Sequence, residues 1–156
     1  MEKTIINNEL TLTRPEGYHI MSDDELKKYF GTTNRIVGIY SSDDHSIISV
    51  SWTKPGFLNR LTSAESLVSG NENCMIRRIK KYNRIVELHT EVASQKAYGI
   101  KFEYTAIDKD VEQYGEMISF RCKNKFYVVT YTSRSSLAEQ NNKVFESVLN
   151  NLSLTD

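Results

Sequence analysis

At 156 residues, with 39% apolar and 26% charged, the chain supports one ordinary core and is too short to divide in two, so residues 1–156 read as a single domain. Twenty basic residues balance twenty acidic ones, which leaves no global field to steer it toward nucleic acid or an anionic membrane. No stretch approaches the ~20 apolar residues of a membrane span, and the start, Met1 to Asn8, holds no apolar run of a secretory signal, so the cytoplasm is the expected compartment.

Ile5 and Leu10 flank Asn7-Asn8, a pair that tolerates positive φ. This predicts a hairpin of strands over about 3–6 and 9–13 joined by a two-residue turn. Pro15-Glu16-Gly17 breaks the pattern before a short extended stretch, Tyr18 to Met21. Ser22 and Glu25 then form a capping box, with Leu26, Tyr29 and Phe30 on the apolar face and Gly31 as the stop, which predicts a short helix. Residues 35–41 and 46–53 read as a second hairpin across Ser42-Asp43-Asp44-His45. Pairing Ile39 with Ile48 and Val37 with Val50 gathers four branched residues on one face. Lys54-Pro55-Gly56 ends it.

A second helix is expected from Thr62, capped by Thr62 and Glu65, weakened in the middle by Gly70 and ending in Arg77-Arg78-Ile79-Lys80-Lys81. Period-two alternation follows for fifty residues. Tyr82, Val86, Leu88 and Val92 fall on one face of the first strand. Tyr98, Ile100, Phe102, Tyr104 and Ala106 share a face of the next. Ile118, Phe120 and Cys122 lead through Lys123-Asn124 to Tyr127, Val129 and Tyr131. These are four consecutive antiparallel strands, a meander. A last helix begins at Ser136, with Glu139 completing a capping box and Leu137, Val144, Phe145, Val148, Leu149 and Leu152 as its stripe. The order is ββ-(β)-α-ββ-α-ββββ-α, an α+β chain whose alternating strands predict one helix-covered face and one partly wet face.

Recognisable chemistry is sparse. His19, His45 and His89 lack ligand spacing, and Asp43-Asp44-His45 carries ordinary turn residues, so no metal is expected. Neither Cys74 nor Cys122 has a catalytic or metal signature, and both read as buried thiols in a reducing compartment. No nucleophile elbow and no glycine-rich phosphate loop occurs, which argues against enzyme activity and against a cofactor. Arg77, Arg78, Lys80, Lys81 and Arg84 read as a solvated helix end with Arg84 in the strand beyond, and nucleic-acid binding is not expected. Trp52, Phe57, Leu58 and Arg60 are the candidate binding residues, because Phe57 and Leu58 put apolar side chains where a loop is expected. Packing beneath the following helix is the alternative for them. The nine tyrosines, several on the meander, suit the lining of a groove or an interface.

The run Leu10-Thr11-Leu12-Thr13-Arg14-Pro15-Glu16-Gly17-Tyr18, the meander after Tyr98-Gly99-Ile100-Lys101-Phe102, and the closing segment Val144 to Leu152 together resemble the superfamily of the photosystem II extrinsic PsbP protein and the Ran-binding nuclear import factor, in a bacterial-type member. The resemblance implies a three-layer α/β/α sandwich around a central, mainly antiparallel sheet, so that the second face is covered as well. It also implies non-catalytic work as a protein-binding, adaptor or chaperone-like domain whose partner is another protein. A small-molecule or enzymatic pocket is the second reading.

Overall fold

The computed structural model describes residues 2–56, 62–106 and 110–155. In chain order the elements are β1 (Glu2–Ile6), β2 (Leu10–Arg14), β3 (His19–Ile20), α1 (Asp23–Phe30), β4 (Ile36–Ser41), β5 (Ser46–Trp52), α2 (Ala64–Ile76), β6 (Lys80–Val92), β7 (Gln95–Thr105), β8 (Glu112–Cys122), β9 (Lys125–Arg134), α3 (Ala138–Asn151) and β10 (Ser153–Leu154). The expected meander is present: β6, β7, β8 and β9 pair antiparallel in succession. The β4–β5 hairpin adds to β9 with the anticipated register, Ile39 opposite Ile48 and Val37 opposite Val50. The result is a seven-stranded sheet, β3-β4-β5-β9-β8-β7-β6. The N-terminal hairpin stands apart from it, with β10 completing a separate three-stranded sheet, β1-β2-β10.

Register decides which side chains share a face, because directly opposed residues of antiparallel strands point the same way. Ile39, Ile48, Val50, Val129, Ile118 and Phe120 therefore lie on one face. They pack with Leu10, Leu12, Phe145 and Val148, which belong to the small sheet and α3. Tyr98, Ile100, Phe102, Met117 and Val128 form the other face and pack with Val68 of α2. On that same face Gly38 faces Met21 and Leu26 at the start of α1. Both faces are thus covered, giving the three-layer α+β sandwich. The partly wet face expected from alternation is corrected, because tyrosine, methionine and glycine fill the second face of the meander alongside isoleucine and phenylalanine.

Local chemistry explains the boundaries, including those read differently from sequence. Asn7 and Asn8 adopt positive φ (55° and 56°) as expected, and the Glu9 amide bonds the Ile6 carbonyl at 3.0 Å. Yet Ile6 pairs with Leu10, so Glu9 is an extra residue at the mouth of the turn and its side chain turns inward. Helix α1 has its capping box and its left-handed Gly31 stop. In α2 the cap is Ser63, whose hydroxyl accepts from the Ser66 amide, and not Thr62. Gly70 sits in open space without interrupting the helix, and the helix ends at Ile76, so Lys80 and Lys81 belong to β6. Helix α3 has no side-chain cap; a single 3-10 turn, Ser135–Leu137, feeds it instead. Tyr82 is separated from Val86, Leu88 and Val92 by a bulge between Arg84 and Val86, since one inserted residue reverses the face of everything beyond it. Cys122 is buried but Cys74 is exposed on α2, and both are free thiols.

Two polar knots hold the layers together. Glu9, only 5% exposed, accepts from Lys125 Nζ at 2.5 Å and from the Tyr127 hydroxyl at 2.6 Å, and Asn7 donates to that hydroxyl at 3.1 Å. Burial raises the Glu9 carboxyl pKa, but the Lys125 and Tyr127 hydrogen bonds outweigh it and leave it below the ordinary range. Across the sheet, Glu72 of α2 receives Arg84 at 2.5 and 2.9 Å and also the Tyr82 hydroxyl. By contrast the Tyr131 and Tyr18 hydroxyls are buried without a hydrogen-bond partner among the described residues.

Removing one member of a buried, bonded ion pair strands the other. Lys125→Met is therefore expected to cost about 3–5 kcal/mol in urea unfolding, with most of it recovered when Glu9→Met is added. Because the folded Glu9 pKa lies below its unfolded value, its stabilisation is present above the unfolded pKa and is lost as pH falls; wild-type stability drops on acidification, and the double variant drops less. Tyr131→Phe, which removes a hydroxyl with no partner, is expected to fall within about 1 kcal/mol of wild type, against a clear loss for Tyr127→Phe.

Candidate functional site

A cleft of about 340 Å³ opens on the α1–α2 face, at the end of the sheet where β4 meets β5. Its floor follows from register: Tyr40 opposes Ile47, Ile47 opposes Thr132, and Gln113 opposes Arg134. All five side chains therefore project from one face of four neighbouring strands. Tyr29 of α1 forms one wall, Ala106 and Val111 the opposite wall, and Ser41, Ser42 and His45 of the β4–β5 turn the rim. Local structure sets each part. The self-capped α1 positions Tyr29, whose ring carries Lys28 Nζ at 5.6 Å from its centroid. In the turn, the Ser41 hydroxyl donates to Asp44 Oδ2 at 3.0 Å, and Asn141 Nδ2 donates to the Asp44 carbonyl at 2.9 Å. His45 then takes a left-handed conformation (φ 48°).

The electrostatics are uneven. Glu25 is held below the usual carboxylate range first by the Ser22 amide, with help from the Tyr40 hydroxyl. The same contact raises the Tyr40 pKa. Asp44 is engaged by Ser41 and by Gln140 at 3.3 Å. Among the described residues no aspartate or glutamate lines the cleft, while Arg134 and His45 do. A second cavity lies beside α3 on the opposite face, where Glu116 sits 3.8 Å from Lys101. Burial raises the Glu116 pKa, with Lys101 opposing and Glu146 adding to the rise. That cavity is lined by no serine, cysteine or histidine.

Of the candidate binding residues, Trp52 does not line the cleft. Trp52 is half-buried at the far end of β5, packed on the core with its ring 6.1 Å from that of Tyr127. Phe57, Leu58 and Arg60 lie outside the described residues. His89 packs edge-on against Tyr98 at 5.3 Å, and Lys80 pairs with Asp110 at 3.0 Å. Tyr29 and Tyr40 line the cleft, and neither belongs to the meander. Arg134 was missed because nothing in Ser133-Arg134-Ser135 distinguishes it; only strand register places it beside Gln113 and near the β4–β5 turn.

No family model and no curated protein matches the chain. Solved structures do. The solution structure of PsbP (CyanoP) from the cyanobacterium Synechocystis sp. PCC 6803 superposes with a TM-score of 0.71 at 11% identity, over 99% of this chain and 92% of that one. The fold is PsbP/Mog1-like. The Saccharomyces cerevisiae Ran-binding protein Mog1p shares this fold at TM-score 0.62 and 8% identity, covering 99% of this chain and 95% of its own. LpqN of Mycobacterium tuberculosis, involved in cell envelope biogenesis, shares it at 0.61 and 10%, over 94% and 83%. At these identities the likeness is one of fold. Within the PsbP/Mog1-like fold of this chain, no described helix is long and apolar enough to cross a membrane.

A residue kept for packing or pairing is costly to change, and one kept for binding is not. Arg134→Gln is therefore expected to leave urea-unfolding stability within about 0.5 kcal/mol of wild type. Arg84→Gln, which strands Glu72, is expected to lose about 1–3 kcal/mol.

Proposed function

We propose that this chain is a non-catalytic binding domain whose partner is another protein and whose principal docking site is the Tyr29–Arg134 cleft. The observation that carries the reading is the composition of the cleft: accessible tyrosine, an arginine whose guanidinium has no bonding partner among the described residues, and a polar rim, the residue types that anchor protein interfaces. Tyr29 is 52% exposed although it is large and aromatic. A neighbour in fold, Mog1p, is a Ran-binding protein, which fits a scaffold used for docking. Trp52, at the other end of β5, enters the same proposal as part of a second contact, together with its sequence neighbours Phe57, Leu58 and Arg60.

The cleft volume alone favours a second reading, a small-molecule site, since it lies at the lower end of the roughly 300–1,000 Å³ typical of such pockets. The two readings separate in one experiment. A photo-crosslinking amino acid placed at Ser42 is expected to capture a defined protein from native lysate, and Tyr29→Ala with Arg134→Gln is expected to abolish the adduct. Phe57→Ser with Leu58→Ser reports on the second contact in the same assay. An adduct indifferent to the cleft substitutions, or none at all, would count against the docking site. A ligand-dependent rise in Tm with no protein adduct would establish the small-molecule reading instead.

A further inference from the structure

Three arginines among the described residues are half-buried: Arg14, Arg84 and Arg134. Arg14 meets Glu2, and Arg84 meets Glu72 at 2.5 Å and Glu87 at 2.8 Å. The Arg134 guanidinium has no carboxylate within ion-pair distance and no acceptor for its five donors among the described residues; the side-chain bond that reaches this residue goes to its main-chain carbonyl, from Ser133. A guanidinium partly withdrawn from water gives up hydration without regaining charge-assisted bonds, and it binds a carboxylate through a planar fork. The arginine that breaks the pattern of its two peers is also the one that faces the tyrosine-walled cleft described above.

Resting on the binding function proposed above, we infer that the cleft receives the carboxylate of an aspartate or glutamate on an extended segment of the partner protein, with Arg134 as its ion-pair partner. Charge complementarity names the occupant. Among the described residues the lining carries no acidic side chain, and three acids close to it in the chain or the fold are engaged elsewhere: Glu25 with Ser22, Asp44 with Ser41, and Asp110 with Lys80. A single guanidinium balances a single negative charge, whereas phosphorylated segments are met by clusters of arginine. Gln113, directly opposite Arg134 in the ladder, and the Ser42 hydroxyl supply neutral donors for the second carboxylate oxygen and for flanking peptide groups. Ile47 and Val111 offer apolar surface to the stem of the acidic side chain.

The test is an NMR titration of the ¹⁵N-labelled chain with the capped peptide acetyl-Ala-Ala-Glu-Ala-Ala-amide, its Gln counterpart and its phosphoserine counterpart. The Glu peptide is expected to shift the Ser42, His45, Gln113 and Arg134 amides saturably, and the Gln peptide to bind about tenfold more weakly. Arg134→Gln is expected to erase that difference while leaving the remaining amide spectrum in place. Arg134→Lys, which keeps the charge without the fork, is expected to restore part of it. Equal binding of Glu and Gln peptides, or tighter binding of the phosphoserine peptide, would overturn the carboxylate assignment while leaving the cleft as a docking site. A selective shift by the Glu peptide, with no protein captured at Ser42, would keep the carboxylate subsite and overturn the protein as its source.

Discussion

Everything in this structure depends on one long-range pairing, that of β5 with β9. Seven residue pairs, from Ser46–Ser133 to Trp52–Tyr127, join the early hairpin to the end of the meander across some eighty residues of chain. Closing such a loop costs conformational entropy before any contact repays it, so a pairing of this kind governs when the fold can form. Once made, it aligns Ile48 and Val50 with Tyr131 and Val129 on the face that receives α3 and the small sheet. On the opposite face it places Ile47 beside Thr132, and so builds the cleft floor. Core and candidate site are two sides of the same seven pairs.

What was readable in the sequence is what depends on neighbours in the chain. The Ser22–Glu25 box, the Ile39–Ile48 and Val37–Val50 register, the four-strand meander and the apolar stripe of α3 all follow from spacing within a few dozen residues. The misreadings come from single-residue choices that spacing does not determine. Ser63 rather than Thr62 caps α2, because both hydroxyls lie next to a helix start and tertiary placement selects one. The bulge at Arg84–Val86 moves Tyr82 to the α2 face, where it reaches Glu72; an uninterrupted alternation would have put it with Val86. The third strand of the small sheet, β10, is only two residues long and too short to show a period at all. The cleft escaped notice for a related reason: Tyr29, Tyr40 and Arg134 are more than ninety residues apart at the extremes, and no local motif links them.

The charged groups of the interior show why one arginine stands out. Glu9 and Glu72 each sit where a layer must be tied to the sheet, and each is met by a cation and a tyrosine hydroxyl. The same solution appears on both faces with different residues: Lys125 and Tyr127 on one, Arg84 and Tyr82 on the other. Neither knot adds much net stability over an apolar substitute, but each makes a wrong docking of its layer leave a buried charge stranded. Among the described residues, where Arg14 and Arg84 each meet a carboxylate, Arg134 is the half-buried arginine that fits the proposed pairing with a group on another molecule.

Such a pair is worth most when the site does not have to be ordered first. The cleft floor is sheet, held by β4–β5, β5–β9 and β8–β9 hydrogen bonding. Its Tyr29 wall stands on a helix that closes both of its own ends. Its rim is a turn pinned by Ser41 to Asp44 and by Asn141, itself buried and bonded to Ser133 at 2.7 Å. Each tie removes freedom before a partner arrives, so less of the interaction energy is spent on immobilising side chains and loop. The Asn141 bond matters most here, because it reaches the rim from α3 on the far side of the sheet. Loosening it, and not altering any residue that touches the ligand, is the change that would separate preorganisation from contact: affinity at the cleft would fall while its chemical preference stayed the same.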